Sequence, residues 1–134
     1  MVDGAFMERI LPALNTIQTR LREILVKNKD GMISWDLVKL RSVGDDLINL
    51  SADVHLQLTL VGHGILYQSI KDAGLGIKRR IMLIEGRKIN NEDKEYFESV
   101  YEALLNIYQK IESGEYYRAL LEMVRKREEY DHLL

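Results

Sequence analysis

The chain has 134 residues, a formal net charge of −2 and no cysteine. A chain of this length can bury one sizeable core, so we expect a single helical domain over residues 1–134. The lack of cysteine excludes a disulfide framework, a thiolate nucleophile and any cysteine-ligated zinc or iron–sulfur site, and a cytoplasmic location fits best. Proline occurs once, whereas leucine, isoleucine, lysine, arginine and glutamate are common, which favours an all-α class.

The first predicted helix covers about residues 6–27. Its apolar side chains recur at steps of three and four, the spacing of one helix face: Ile10, Leu14, Ile17, Leu21 and Ile24. Pro12 interrupts this pattern, because proline removes a backbone hydrogen bond inside a helix. We therefore expect the regular helix to begin near Leu11.

The longest periodic run extends over residues 34–70 and predicts one long central helix. Its main apolar stripe comprises Leu40, Val43, Leu47, Leu50, Val54, Leu58, Val61 and Ile65, and a second stripe comprises Leu56, Leu60, His63, Tyr67 and Ile70. Two apolar faces require neighbours on both sides, so we expect a buried helix in a compact bundle of four to five helices. The uncharged part of the run is too short and too polar to span a membrane. Ser34 is expected to cap this helix, and Gly62 predicts a break or very close packing.

The turn before the central helix partly resembles the loop of an EF-hand, with Asn28, Asp30 and Gly31 in matching positions. On that alignment the first and last ligand positions fall on Val26 and Leu37, which supply no carboxylate. We therefore expect an ordinary interhelical turn, and we predict no metal site and no cofactor.

Gly74 suits the left-handed position that commonly ends a helix, so the central helix is expected to stop there. Residues 77–88 predict a short helix, with a β-strand that turns at Gly86 as the alternative. Asn90 or Asn91 then caps a helix whose stripe is Phe97, Val100, Leu104, Ile107 and Ile111. A turn at 113–114 leads to the last helix, and these two helices are expected to form an antiparallel hairpin.

Five cations lie within eleven residues: Lys78, Arg79, Arg80, Arg87 and Lys88. Residues 71–88 carry a net charge of +4, whereas residues 89–134 carry −5. Such a cluster can neutralise phosphates without reading base sequence, so we predict contact with nucleic-acid backbone through residues 78–88. Two alternatives stay open: a solvated helix face, and attraction between the basic and acidic parts of two copies.

Near the C-terminus, Arg127 is followed five residues later by His132. This segment resembles the Arg-x4-6-His motif of HEPN-type ribonucleases, small all-helical proteins in which paired motifs at a dimer cleft cleave RNA without a metal. The resemblance implies RNA phosphate binding by Arg127 and acid–base work by His132, although Glu128 stands where that family usually has a small polar residue. His63 lies on an apolar stripe, and we expect both it and His55 to be buried and hydrogen-bonded.

Together these features predict a non-catalytic intracellular helical subunit or adaptor. Its expected partners are other protein subunits or its own copies, and we expect no contact with a membrane. If the basic segment binds nucleic-acid backbone, the subunit is expected to work within a nucleoprotein complex. In size and character the chain is similar to small helical subunits of nucleoprotein machines. Four tyrosines suit an interface or, equally, the edge of a monomer: Tyr96, Tyr101, Tyr116 and Tyr130. The alternative is a HEPN-like metal-independent ribonuclease that uses Arg127 and His132.

Overall fold

The computed structural model describes residues 4–29, 32–56 and 63–133, and within them the chain forms five α-helices and a two-stranded β-sheet. The helices are α1 (Gly4–Leu25), α2 (Leu37–Leu56), α3 (His63–Ile84), α4 (Asn91–Glu112) and α5 (Glu115–Leu133). Between α1 and α2, β1 (Asn28–Lys29) pairs antiparallel with β2 (Met32–Ile33). The predicted all-α bundle is confirmed. None of the described helices has an apolar segment long enough to cross a membrane.

Antiparallel helix pairs build the bundle. The most extensive pair is α2 with α3, where Arg41 of α2 pairs with Glu85 just after α3, and Asp45 pairs with Lys78. Helix α1 packs against α2 and α4, and α3 also contacts α4. The buried core confirms the predicted stripes of α1, α2 and α4, with Ile107 half-buried: Ile10, Leu14, Ile17, Leu21, Ile24, Leu40, Val43, Leu47, Leu50, Val54, Phe97, Val100, Leu104 and Ile111.

The prediction of one central helix over residues 34–70 is wrong. Helix α2 ends at Leu56, and a separate helix, α3, begins at His63 and packs antiparallel against α2. The error has a physical reason: two helices that face each other repeat the same apolar period as one helix with neighbours on both sides. Gly62, Leu58, Leu60 and Val61 lie outside the described residues, as do the side chains of Leu56, Ile65 and both predicted buried histidines, His55 and His63.

Gly74 does not end a helix, because α3 continues to Ile84. A Cβ atom at Gly74 would stand 2.8 Å from the carbonyl oxygen of Gly44, so the backbones of α2 and α3 touch at this glycine pair. The helix predicted for residues 77–88 is confirmed as far as Ile84, and the strand alternative is wrong. Gly86, with a φ of 82°, takes the left-handed conformation just beyond the helix.

Two helix starts also differ from the predictions. Helix α1 begins at Gly4 and contains Pro12 in its interior, because burial of Ile10 and Leu14 on either side offsets the lost hydrogen bond. Helix α2 is capped by Asp36 instead of Ser34, since the Asp36 carboxylate accepts the backbone N–H groups of Val38 and Lys39 at 3.0 and 3.1 Å.

Candidate functional site

The fold gathers basic segments at one end of the bundle. The indole N–H of Trp35 donates to the carbonyl of Leu25 at 3.1 Å, which places the end of α1 beside the start of α2. The Arg41–Glu85 pair brings in the end of α3, at 2.6 Å. We call residues 20–27, 33–41 and 78–95 the basic end. They contain eleven Lys and Arg against six Asp and Glu, although the whole chain has a net charge of −2.

Asp93 is the buried charge that holds this end together. Arg87 donates to both of its carboxylate oxygens, at 2.7 and 2.9 Å, and Arg80 donates to Oδ1 at 2.8 Å. The backbone N–H of Asn90 reaches Oδ2 at 2.9 Å, while the Asn90 side chain accepts the backbone N–H of Asp93 at 2.9 Å. This reciprocal pair is a capping box that starts α4. We call Asp93, Arg80, Arg87 and Asn90 the Asp93 clamp.

Electrostatics keep the clamp ionised. Hydrogen bonds from Arg87 lower the pKa of Asp93 well below its usual range, assisted by those from Asn90 and Arg80, although burial acts in the opposite direction. The same contact raises the pKa of Arg87. At neutral pH the clamp is therefore one buried carboxylate between two guanidinium groups, and it joins the end of α3 to the start of α4.

The five predicted nucleic-acid contacts thus divide into two groups. Lys78 pairs with Asp45 at 2.8 Å, and Arg80 and Arg87 belong to the clamp. Arg79 and Lys88 are exposed and form no ion pair with any residue that the structure describes. The structure therefore brings all five cations to one end of the molecule, but it leaves only Arg79 and Lys88 without a local counter-charge.

Two grooves flank the segment that enters α2. Residues 33–37 alternate between them, as side chains of extended chain do. A groove of about 720 Å³ is lined by Arg20, Glu23, Ile24, Val26, Lys27, Ser34, Asp36 and Lys39. The second, which we call the Trp35 groove, has a volume of about 420 Å³; its floor is Ile33, Trp35, Leu37, Ile84 and Ile89, and its rim is Arg87, Lys88 and Asn91. Sequence reasoning missed this groove because its walls come from two distant parts of the chain.

Large apolar side chains that are exposed in the described structure occur in two places. Four belong to the basic end: Val26, Val38, Met82 and Leu83, with exposed fractions of 65%, 80%, 70% and 63%. The other three belong to α5: Leu121, Tyr130 and Leu133, at 42%, 62% and 84%. Beyond Tyr117 every described side chain of α5 is exposed, and the helix contacts only α4 within the described structure. Among the described side chains, the expected hairpin between α4 and α5 is thus packed only near its turn.

The predicted interface tyrosines behave differently from one another. Tyr96, Tyr101 and Tyr116 are half-buried and pack against the core, and burial raises the pKa of Tyr116 to about 12. The Tyr96 ring also lies 5.4 Å from the Arg80 guanidinium, in a cation–π contact beside the clamp. Only Tyr130 presents most of its surface to solvent.

Arg127 and His132 are both exposed on α5. The helix is continuous through Leu133, so positions five residues apart point about 140° away from each other around its axis. Arg127 and His132 therefore leave the α5 helix on different faces. No group of three or more His, Asp or Glu side chains within the described ranges is placed to hold a metal ion.

No family model matches this chain, and comparisons with curated proteins and with solved structures also found no match.

Proposed function

We propose that the chain is a non-catalytic helical subunit or adaptor that acts by contact. Its partners are other protein subunits or its own copies, and its basic segment, residues 78–88, touches nucleic-acid backbone without reading sequence. The observation that carries the proposal is that the exposed large apolar side chains among the described residues all belong to the basic end or to α5.

Protein contact accounts for this distribution. Burying one large apolar side chain contributes about 1.5–3 kcal/mol, so exposed side chains of this kind in two parts of the molecule support contact with another molecule. The α5 helix adds a second argument, because its described side chains beyond Tyr117 are all exposed. A short helix gains most of its stability from packing, so a partner would stabilise it.

The proposed contact with nucleic-acid backbone depends on cations that form no ion pair with another described residue. Besides Arg79 and Lys88, the exposed Lys27 and Lys39 lie on neighbouring segments of the basic end. If these four neutralise four phosphates of duplex DNA, affinity falls about a hundredfold when salt rises fourfold. Such binding is weak and tolerant of sequence.

A titration with labelled single- and double-stranded nucleic acid at two salt concentrations tests the backbone contact. The test variant combines Arg79→Glu with Lys88→Glu, which leaves the Asp93 clamp intact. The control combines Lys110→Glu with Arg118→Glu, which changes net charge equally at exposed positions outside the basic end. We expect salt-sensitive binding that only the test variant loses.

Two results would contradict parts of the proposal. Absence of binding at low salt, or equal loss in both variants, removes the contact through residues 78–88. RNA cleavage by the wild type that His132→Ala abolishes would replace the contact function with the ribonuclease alternative. The mass of the purified protein in solution then shows whether it binds its own copies. The same measurement after addition of cell-extract fractions of defined composition shows whether it binds other proteins.

A further inference from the structure

We infer that the end of α5 from one copy docks into the Trp35 groove of a second copy. This inference rests on the proposed contact function and names its partner, a second copy of the same chain. The two surfaces lie on different elements, so the contact is head-to-tail and joins copies into a ring or an open chain.

The Trp35 groove offers an apolar floor with a cationic rim. Trp35 is 8% exposed and Ile84 is 1% exposed, so the floor is set firmly in the core. Lys88 stands at the rim, exposed and without an ion pair among the described residues. The occupant that fits must supply apolar side chains and negative charge together.

The end of α5 supplies both. Residues 128–133 contain Glu128, Glu129 and Asp131 and no lysine or arginine. Tyr130 and Leu133, three residues apart, share one face of the helix and are 62% and 84% exposed. Glu129, four residues before Leu133, is the carboxylate on this side of the helix. It accepts from Arg125 at 3.1 Å, but both side chains of this pair are about 60% exposed, so the pair is weak enough for Glu129 to exchange Arg125 for Lys88. The charge of this segment is thus available to Lys88.

A protein segment fits the groove better than nucleic acid does. A phosphate backbone would satisfy Lys88 but would leave the floor of Trp35, Leu37 and Ile89 without an apolar partner, whereas Tyr130 and Leu133 cover it. Both surfaces are open in the described structure, so the α5 helix of the same copy does not fill the groove. A contact of one helix end is small, so we expect weak association that depends on concentration and salt.

Sedimentation velocity over a range of concentrations, at low and high salt, tests the inference. Lys88→Glu reverses the rim charge, and Tyr130→Asp removes the apolar anchor from α5. We expect each change to weaken self-association about tenfold or more. Lys110→Glu and Ala103→Asp are controls, because they reverse or add a charge at exposed positions of α4 outside both surfaces, and they should leave association unchanged.

Mixing the two test variants gives the sharpest result. The Lys88→Glu copy keeps an intact α5, and the Tyr130→Asp copy keeps an intact groove. A head-to-tail contact predicts that the mixture forms dimers that cannot grow, whereas neither variant associates alone. Helical circular dichroism verifies that both variants remain folded.

The outcomes separate this inference from the proposed function. Association that survives Tyr130→Asp overturns the docking of α5 but leaves another self-contact in place. A wild type that stays monomeric yet binds nucleic acid or another protein overturns the inference alone. A wild type that stays monomeric and binds neither overturns both.

Discussion

Replacing Asp93 with alanine tests the clamp between α3 and α4. The change removes the acceptor for four N–H contacts of 2.7–2.9 Å. Loss of helix capping costs about 0.5–2 kcal/mol, and breaking a fully buried ion pair costs about 3–5 kcal/mol. The guanidinium side chains of Arg80 and Arg87 are 23% and 36% exposed, so water compensates part of that loss. We expect the free energy of unfolding to fall by about 2–4 kcal/mol.

Urea unfolding followed by circular dichroism measures this loss. With a slope of about 1.5 kcal/mol per molar, the midpoint should fall by roughly 1.3–2.7 M at constant slope. Glu102→Ala, at an exposed position of the same helix, is the control and should change stability by less than about 0.5 kcal/mol. A loss of less than about 1 kcal/mol for Asp93→Ala would refute the assignment of Asp93 as the residue that joins these helices.

Acid unfolding gives an independent check of the same carboxylate. In the folded chain the pKa of Asp93 lies below its ordinary value of 3.8, so its contribution is fully present above that pH. The contribution is lost as pH falls further and the folded carboxylate takes up a proton. Stability of the wild type should therefore decline more steeply below pH 3.8 than that of Asp93→Asn. Equal slopes would show that Asp93 is not held ionised by the clamp.

Three further changes test local packing and capping. Gly74→Ala should destabilise the fold by about 1–2 kcal/mol in thermal unfolding, because the new Cβ meets the Gly44 carbonyl oxygen at 2.8 Å; a more stable variant would contradict the close helix contact. Asp36→Ala should lower the free energy of unfolding by about 1 kcal/mol, whereas Ser34→Ala should change it little. The reverse order in urea unfolding would show that Ser34 caps α2, as the sequence predicts. Trp35→Phe should cost about 1 kcal/mol in the same assay through loss of the indole hydrogen bond to the end of α1, and no loss would argue that this bond is replaced by water.

Local sequence determines α4 well because the signals for its start and its buried face agree. Asn90 supplies the cap, acidic residues occupy the first turn, and Phe97 and Leu104 repeat at helical spacing. The spacing of Asn90 and Asp93 also contains the signal of the capping box. It does not contain the arginine partners, since Arg80 lies on another helix and Arg87 lies in the connection between α3 and α4.

The glycines of α3 show where local pattern is ambiguous. A glycine after an apolar run is equally compatible with a helix end and with close approach of a second backbone. Gly74 takes the second role against Gly44, and Gly76 leaves room for the Tyr96 hydroxyl, which would stand 2.1 Å from a Cβ at that position. Both partners are far away in sequence, so only the three-dimensional fold distinguishes the two roles.

The basic segment illustrates the same limit for charge. A count of cations predicts a positive surface, but the ion pairs depend on which carboxylates the fold brings near. Asp45 is 33 positions before Lys78, and Asp93 is buried. Three of the five predicted cations therefore form ion pairs within the fold, and Arg79 and Lys88 remain accessible. Neither the spacing of these residues nor their net charge predicts this division.

The two parts of this cluster are physically connected. Arg87, while bound to Asp93, also donates from Nη1 to the backbone carbonyl of Lys88 at 3.0 Å. The buried carboxylate thereby holds the backbone of the residue that stands at the rim of the Trp35 groove. Asp93→Asn should consequently weaken self-association at temperatures where the helices are still folded, because Lys88 loses its fixed position before the bundle unfolds. Unchanged self-association in a folded Asp93→Asn variant would show that the Asp93 clamp does not position Lys88 for docking.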